Sequence, residues 1–111
     1  MPQLLLVRHA EPERKGVLLG RLNTGLSAEG LLRARAALGG LEAAVCYVSP
    51  LRRAQETAAC LPAGIERVTL EDLAEIGMGD WEGLRWSEVE DERPELAAKK
   101  LTNWFGIAAP G

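Results

Sequence analysis

Three short apolar runs, Leu4–Val7, Ala43–Val48 and Ile65–Leu70, alternate along the chain with two segments of helical spacing. Each run is continuous rather than alternating. That pattern suits a strand covered on both faces, as in a parallel sheet. Between the first two runs, Ser27 offers an N-cap and Glu29 an acid in the first turn. Leu31, Ala34, Leu38 and Leu41 then share one helical face, and Gly39-Gly40 is the natural stop. After the second run, Ser49 is expected to cap a helix with Pro50 at its first position, where a missing N–H costs nothing. Leu51, Ala54, Ala58 and Leu61 would form its buried face, and Pro62 ends it. The order strand, helix, strand, helix, strand predicts an α/β fold with a mainly parallel sheet. A Gly- and acid-rich loop follows, then a helix expected from Glu95 to Trp104.

At 111 residues the chain is long enough for one domain and no more. Hydrophobic residues at 47% and charged residues at 26% give a globular balance, not a disordered one. Aromatics are only 5%, so Leu, Val and Ala are expected to fill the core. The net charge of −3 argues against general attraction to nucleic acid or anionic membranes, so an anionic ligand must be held by a local cationic cluster. Cys46 and Cys60 form no Cys-x-x-Cys pair and read as reduced core residues rather than a bridge or a metal site. The apolar run after Gln3 is too short for a secretory signal, and no stretch approaches a membrane span. The expected location is the cytoplasm.

In open α/β sheets, ligands bind beyond the carboxyl ends of the strands. The first run ends in Arg8-His9 and the second leads into Ser49-Pro50-Leu51-Arg52-Arg53. Neighbouring strands would bring an imidazole and several guanidiniums to one edge. Arg52 and Arg53 fall in the first turn of a helix, where the macrodipole already disfavours a cation by roughly 0.3–1 kcal/mol. A bound anion would reverse that sign, because helix N-termini and Arg forks both suit phosphate. The plainer alternative is that these side chains extend into water. His9 is the sole histidine. A lone histidine is usually structural, but its place after a buried strand and beside Arg8 favours chemistry, and a neutral imidazole is a competent nucleophile towards phosphorus. The string Gly77 to Gly83 has neither the spacing nor the strand-to-helix context of a dinucleotide fingerprint.

Four blocks carry a resemblance. LLLVRHAE resembles the strand and Arg-His-Gly motif of the histidine phosphatase superfamily, which includes the phosphoglycerate mutases. GRLNTGLSAEG resembles the substrate loop and helix cap that follow. SPLRRAQETA is similar to the Ser-x-Leu-x-Arg-Ala…Thr-Ala motif, and LAEIGMGDWEGL to the Glu-x-x-x-Gly-x-Trp-Glu-Gly segment. The blocks stand in the family's order. The resemblance implies a partial three-layer phosphoglycerate mutase-like fold in which residues 1–111 form the N-terminal portion of a single domain. It implies His9 as the phosphohistidine nucleophile and Glu75 as proton donor to the leaving oxygen. Arg8 and Arg53 would hold the phosphoryl oxygens, Arg53 rather than Arg52 standing directly before Ala54. Arg21 is a further candidate for substrate contact. No cofactor and no metal is implied, the cationic side chains doing the charge neutralisation. The partner would be a small phosphorylated substrate, not nucleic acid or a membrane.

The sequence departs from the family pattern in three ways. Ala10 replaces the motif's Gly, the loop from His9 to Gly20 is short and lacks a usual Asn, and there is no second histidine. Ala109-Pro110-Gly111 resembles the point where relatives continue into a C-terminal half. The expected function is therefore a phosphomonoesterase with little activity in this chain alone. Mutases carry a long insertion after the Trp-Glu-Gly segment. Only Leu84 to Ala109 separates that segment from Pro110 here, which favours the short type, similar to α-ribazole phosphatases. The alternatives are a phosphoglycerate mutase-type phosphoryl transferase and a non-catalytic protein that binds a phosphorylated ligand.

Overall fold

The computed structural model describes residues 3–111. In chain order its regular elements are α1 (Ala28–Leu38), β1 (Val45–Val48), α2 (Arg52–Ala58), β2 (Glu66–Thr69), α3 (Trp86–Glu92) and α4 (Pro94–Thr102). Short 3-10 turns occupy Glu71–Leu73 and Gly79–Trp81. β1 and β2 pair in parallel, with Val45 opposite Glu66 and Val48 opposite Thr69. Parallel neighbours need a crossover, and α2 supplies it. The architecture is α/β with a small parallel sheet, as the alternation of runs predicts.

α1 begins where its sequence says it should. The Ser27 hydroxyl accepts the Gly30 N–H at 3.0 Å, and Gly39 is the C-cap. Ala34 and Leu38 are buried on the expected face. The start of α2 differs from expectation. Helical geometry begins at Arg52 after Leu51, so neither Ser49 nor Pro50 belongs to it. Ser49 Oγ instead accepts the Leu51 N–H, and the Arg52 N–H is capped from another loop by Asn23 Oδ1 at 2.6 Å. The face that α2 buries is also more polar than expected, with Arg53 and Thr57 beside Ala58.

The first apolar run is not a strand. Leu4–Val7 has no regular secondary structure, no strand among the described residues bonds to it, and Leu4 and Leu6 are 82% and 88% exposed. A run of this composition is stable as a central strand only with hydrogen-bonded neighbours and cover on both faces. Among the described residues the sheet is β1 and β2 alone. Beyond His9 the chain is held again: Pro12 bridges Leu26 in antiparallel fashion, with Glu13 N–H donating to Gly25 O and Ser27 N–H to Glu11 O, each at 2.9 Å.

The C-terminal region holds two helices where the sequence predicts one. The residue before a proline is disfavoured in the helical region. Arg93 accordingly leaves it, at φ −138° and ψ 64°, ending α3, and Pro94 opens α4. α3 itself falls in the stretch expected to be an acidic loop. Its start is marked by Glu88, whose carboxylate accepts the Arg85 N–H at 3.1 Å.

The largest buried cluster also corrects an expectation. Its centre is Trp81 with Met78, Val89 and Ala97, not a set of Leu, Val and Ala alone. Trp86 meets Trp81 edge to face at 6.0 Å between ring centroids, and Trp104 lies 5.8 Å from Trp86. Lys100 is fully buried beside them, its Nζ over the Trp104 ring and donating to the carbonyls of Trp104 and Ile107. Cys46 and Cys60 are free and half-buried.

Candidate active site

A cleft of about 580 Å³ opens between the loop from Arg8 to Gly20 and the segment from Glu75 to Met78, and Arg8, His9, Arg53 and Glu75 all line it. A smaller pocket of about 190 Å³ shares His9, Arg53 and Glu75 and adds Ser49 and Leu51, the residues that leave β1. These three side chains therefore stand between two hollows. Met78 and Trp104 contribute an apolar wall to the larger one, which ties it to the tryptophan cluster.

His9 is half-buried, and its Nδ1 lies 2.8 Å from the carbonyl oxygen of Ala10. A carbonyl only accepts, so this contact assigns the proton to Nδ1. In the neutral ring this leaves the lone pair on Nε2. The N–H of the same Ala10 donates to Thr57 Oγ1 at 3.0 Å.

Arg53 is 2% exposed and sits in the first turn of α2. Its Nη2 donates to Gly20 O at 2.7 Å and its Nη1 to Leu22 O at 2.8 Å, which fixes the loop wall. Gly20 adopts φ +51°, and a Cβ there would stand 2.8 Å from Met78, so only glycine lets the loop come this close. A guanidinium carries five N–H donors, so others remain for an anion. Burial pulls the Arg53 guanidinium below the usual arginine range, while the charges of Glu75 and Glu82 oppose that shift. It remains a cation, since arginine holds its proton in proteins.

Arg8 is exposed at the cleft. Arg52 points elsewhere, pairing with Glu56 at 2.7 Å, and does not line the cleft. Glu75 is exposed, with Oε1 accepting the Ile76 N–H at 3.1 Å. Arg21 does not line the cleft either; its Nε donates to the backbone carbonyl of Glu75 at 3.1 Å and so supports that residue from behind. Sequence reasoning missed Thr57 and Asn23, and also the cations Arg14 and Lys15, which line the cleft. Thr57 had a readable signal, since it lies one helical turn after Arg53 and shares its face. Among the described residues no three His, Cys, Asp or Glu side chains cluster as a metal site, and no helix is long and apolar enough to cross a membrane.

Comparison with known proteins gives the same picture. The profile of the histidine phosphatase superfamily (branch 1) matches residues 4–111. The chain is similar to a metal-independent phosphoserine phosphatase of Arabidopsis thaliana, 30% identical over 118 residues, which covers 98% of this chain and 50% of the relative. It is also similar to a 2,3-bisphosphoglycerate-dependent phosphoglycerate mutase of Parvibaculum lavamentivorans, 34% identical over 127 residues, covering 100% of this chain and 59% of the relative. The crystal structure of the α-ribazole phosphatase from Shigella flexneri shares the fold with a TM-score of 0.79 at 24% identity, over 93% of this chain and 55% of that one. The chain spans 32% to 59% of the length of the curated relatives it matches. With that profile running from Leu4 to the last residue, through His9, Arg53 and Glu75, the chain belongs to the histidine phosphatase superfamily.

Proposed function

We propose that this chain carries the nucleophile-bearing portion of a phosphomonoesterase that works through phosphohistidine at His9. The observation that carries the reading is the convergence of Arg8, His9, Arg53 and Glu75 on one cleft, with His9 Nδ1 committed to a carbonyl and Nε2 free. Nε2 attacks phosphorus in line with the ester oxygen. The N–P bond forms as the P–O bond to the alcohol breaks, and Glu75 gives its proton to the departing oxygen. Water then gives a proton back to the Glu75 carboxylate and attacks phosphorus; the N–P bond breaks, its electron pair returns to Nε2, and inorganic phosphate leaves. Arg8 and Arg53 meet the negative charge that spreads over the equatorial oxygens, where fixed cations act with little reorganisation. Arg14 extends the positive lining, while Lys15 is paired with Glu11 at 3.0 Å; a small phosphorylated alcohol suits such a cleft.

A second reading, phosphoryl transfer between two sites of a phosphoglycerate, is supported by the similarity to the Parvibaculum mutase. The short stretch from Leu84 to Ala109 favours hydrolysis, of the α-ribazole phosphatase type. A third reading is binding of a phosphorylated ligand without turnover; the 111 residues themselves carry one histidine. Losing one charge-stabilising donor costs on the order of a hundred- to a thousand-fold in rate. Turnover of an aryl phosphate by the 111-residue chain is therefore expected near background, while labelling is not. Incubation with a phosphodonor should place acid-labile phosphate on His9, and His9→Ala should remove it. Equal labelling of the His9→Ala variant would sink the mechanism.

A further inference from the structure

We propose that Thr57 is a positioning residue, whose hydroxyl sets where His9 stands relative to Arg53. The inference rests on the reading of His9 and Arg53 given above. Thr57 is 6% exposed, and its Oγ1 is used in both directions. It accepts the Ala10 N–H at 3.0 Å and donates to the Arg53 carbonyl at 2.7 Å. A hydroxyl on a helix often back-bonds to the carbonyl four residues earlier, which alone would be a local matter. The second bond is not local, since Ala10 and Thr57 are 47 positions apart.

That bond has an unusual share in holding the N-terminal segment. Leu4–Val7 forms no strand, and the hydrogen bonds of the described residues include no other link from residues 3–10 to the remainder of the chain. The peptide unit it holds is the one whose neighbouring carbonyl, Ala10 O, takes the proton of His9 Nδ1. One hydroxyl thus connects the group that fixes the imidazole to the helical turn that carries the guanidinium. Arg53 and Thr57 stand one turn apart on α2 and are both buried. Chemistry on a phosphoryl group needs nucleophile and cation at a set separation, and misplacement by about 1 Å can cost on the order of a hundred-fold in rate. The side chain must both donate and accept. Serine can do this; valine, of the same shape, can do neither.

Because His9 is the sole imidazole, its ring nitrogens can be observed in the 15N-labelled full chain without assignment ambiguity. The wild type and Thr57→Ser should show Nδ1 protonated and Nε2 bare. Thr57→Val should show averaged tautomers. Titration with inorganic phosphate, read at the same ring, should have its midpoint raised about tenfold in Thr57→Val, the effect of one misplaced hydrogen-bonding partner, and little changed in Thr57→Ser. A folded Thr57→Val variant with the wild-type tautomer and midpoint overturns the proposal, and a lowered melting temperature alone does not support it. If Thr57→Val does not fold, wild-type amide exchange decides: protection at Ala10 above that of Gln3 to His9 supports the tether, and equal exchange overturns it. Absence of any phosphate response in the wild type, with the tautomer still dependent on Thr57, would remove the phosphatase reading and leave the tether standing.

Discussion

Leu4 and Leu6, in the run that leads to His9, are more than four-fifths exposed, whereas Met78, Trp81, Val89 and Ala97 are exposed by 3% or less. Both regions are apolar in sequence. They differ in where their partners come from. Apart from Leu18, the tryptophan cluster draws on residues close along the chain, with α3 and α4 joined through Arg93. Such contacts close short loops and cost little entropy. The Leu4–Val7 run needs backbone partners and two covering layers from elsewhere, and the described residues offer neither. Hydropathy states a demand for burial; geometry decides whether it is met. His9 follows the unmet demand, and a polar tether and a loop bridge, rather than a core, hold that region.

The sharpest way to break this contrast is at Trp81. Trp81→Ala should lose about 3–5 kcal/mol of stability by leaving a cavity in the cluster, measured by chemical denaturation. A loss below about 1 kcal/mol would place the core elsewhere. A smaller effect is expected from acid, and it should fall on the N-terminal region first. The Glu56 carboxyl is held below its usual value of 4.5, chiefly by the Leu26 N–H and then by Arg52. A carboxyl lowered in the folded state contributes stability above its unfolded pKa, and the contribution is lost as pH falls through the lowered value. Protection of the Leu26 amide should therefore decline as the pH drops below that ordinary value, while Trp81 fluorescence holds. Glu56→Gln should flatten the response, and simultaneous loss of both signals would show one cooperative unit instead of two regions. The smallest effect belongs to Leu6→Ala, expected within about 0.5 kcal/mol of wild type, since an exposed side chain leaves no cavity. A cost near that of a core truncation would mean that the run is buried in solution.

Much of the fold is legible in the sequence because its signals are local. Ser27 and Gly39 mark α1 through groups a few residues away, and the apolar runs mark β1 and β2 to within two residues. Motif spacing singles out Arg8, His9, Arg53 and Glu75, and the structure brings these four to one cleft. Other features are hidden. Ser49 and Pro50 look like a helix start, yet the N-terminus of α2 is capped by Asn23 from a distant loop. Arg21 reads as a substrate contact, and its partner is the Glu75 carbonyl. Composition points to an aliphatic core, but a few tryptophans concentrated in one place outweigh their number, because each buries more surface than an aliphatic side chain.

By itself the sequence determined α1, the succession β1, α2, β2 and the family. These depend on propensity, capping and spacing, all properties of near neighbours. Only the tertiary structure decided that Arg53 is buried against Gly20 and Leu22 while Arg52 is turned to Glu56. It alone decided that His9 Nδ1 lies against the Ala10 carbonyl, and that Leu4–Val7 finds no strand partner among the described residues. The reason is physical: a hydrogen bond across tens of residues depends on where two segments meet, and neither segment carries that information in its own composition.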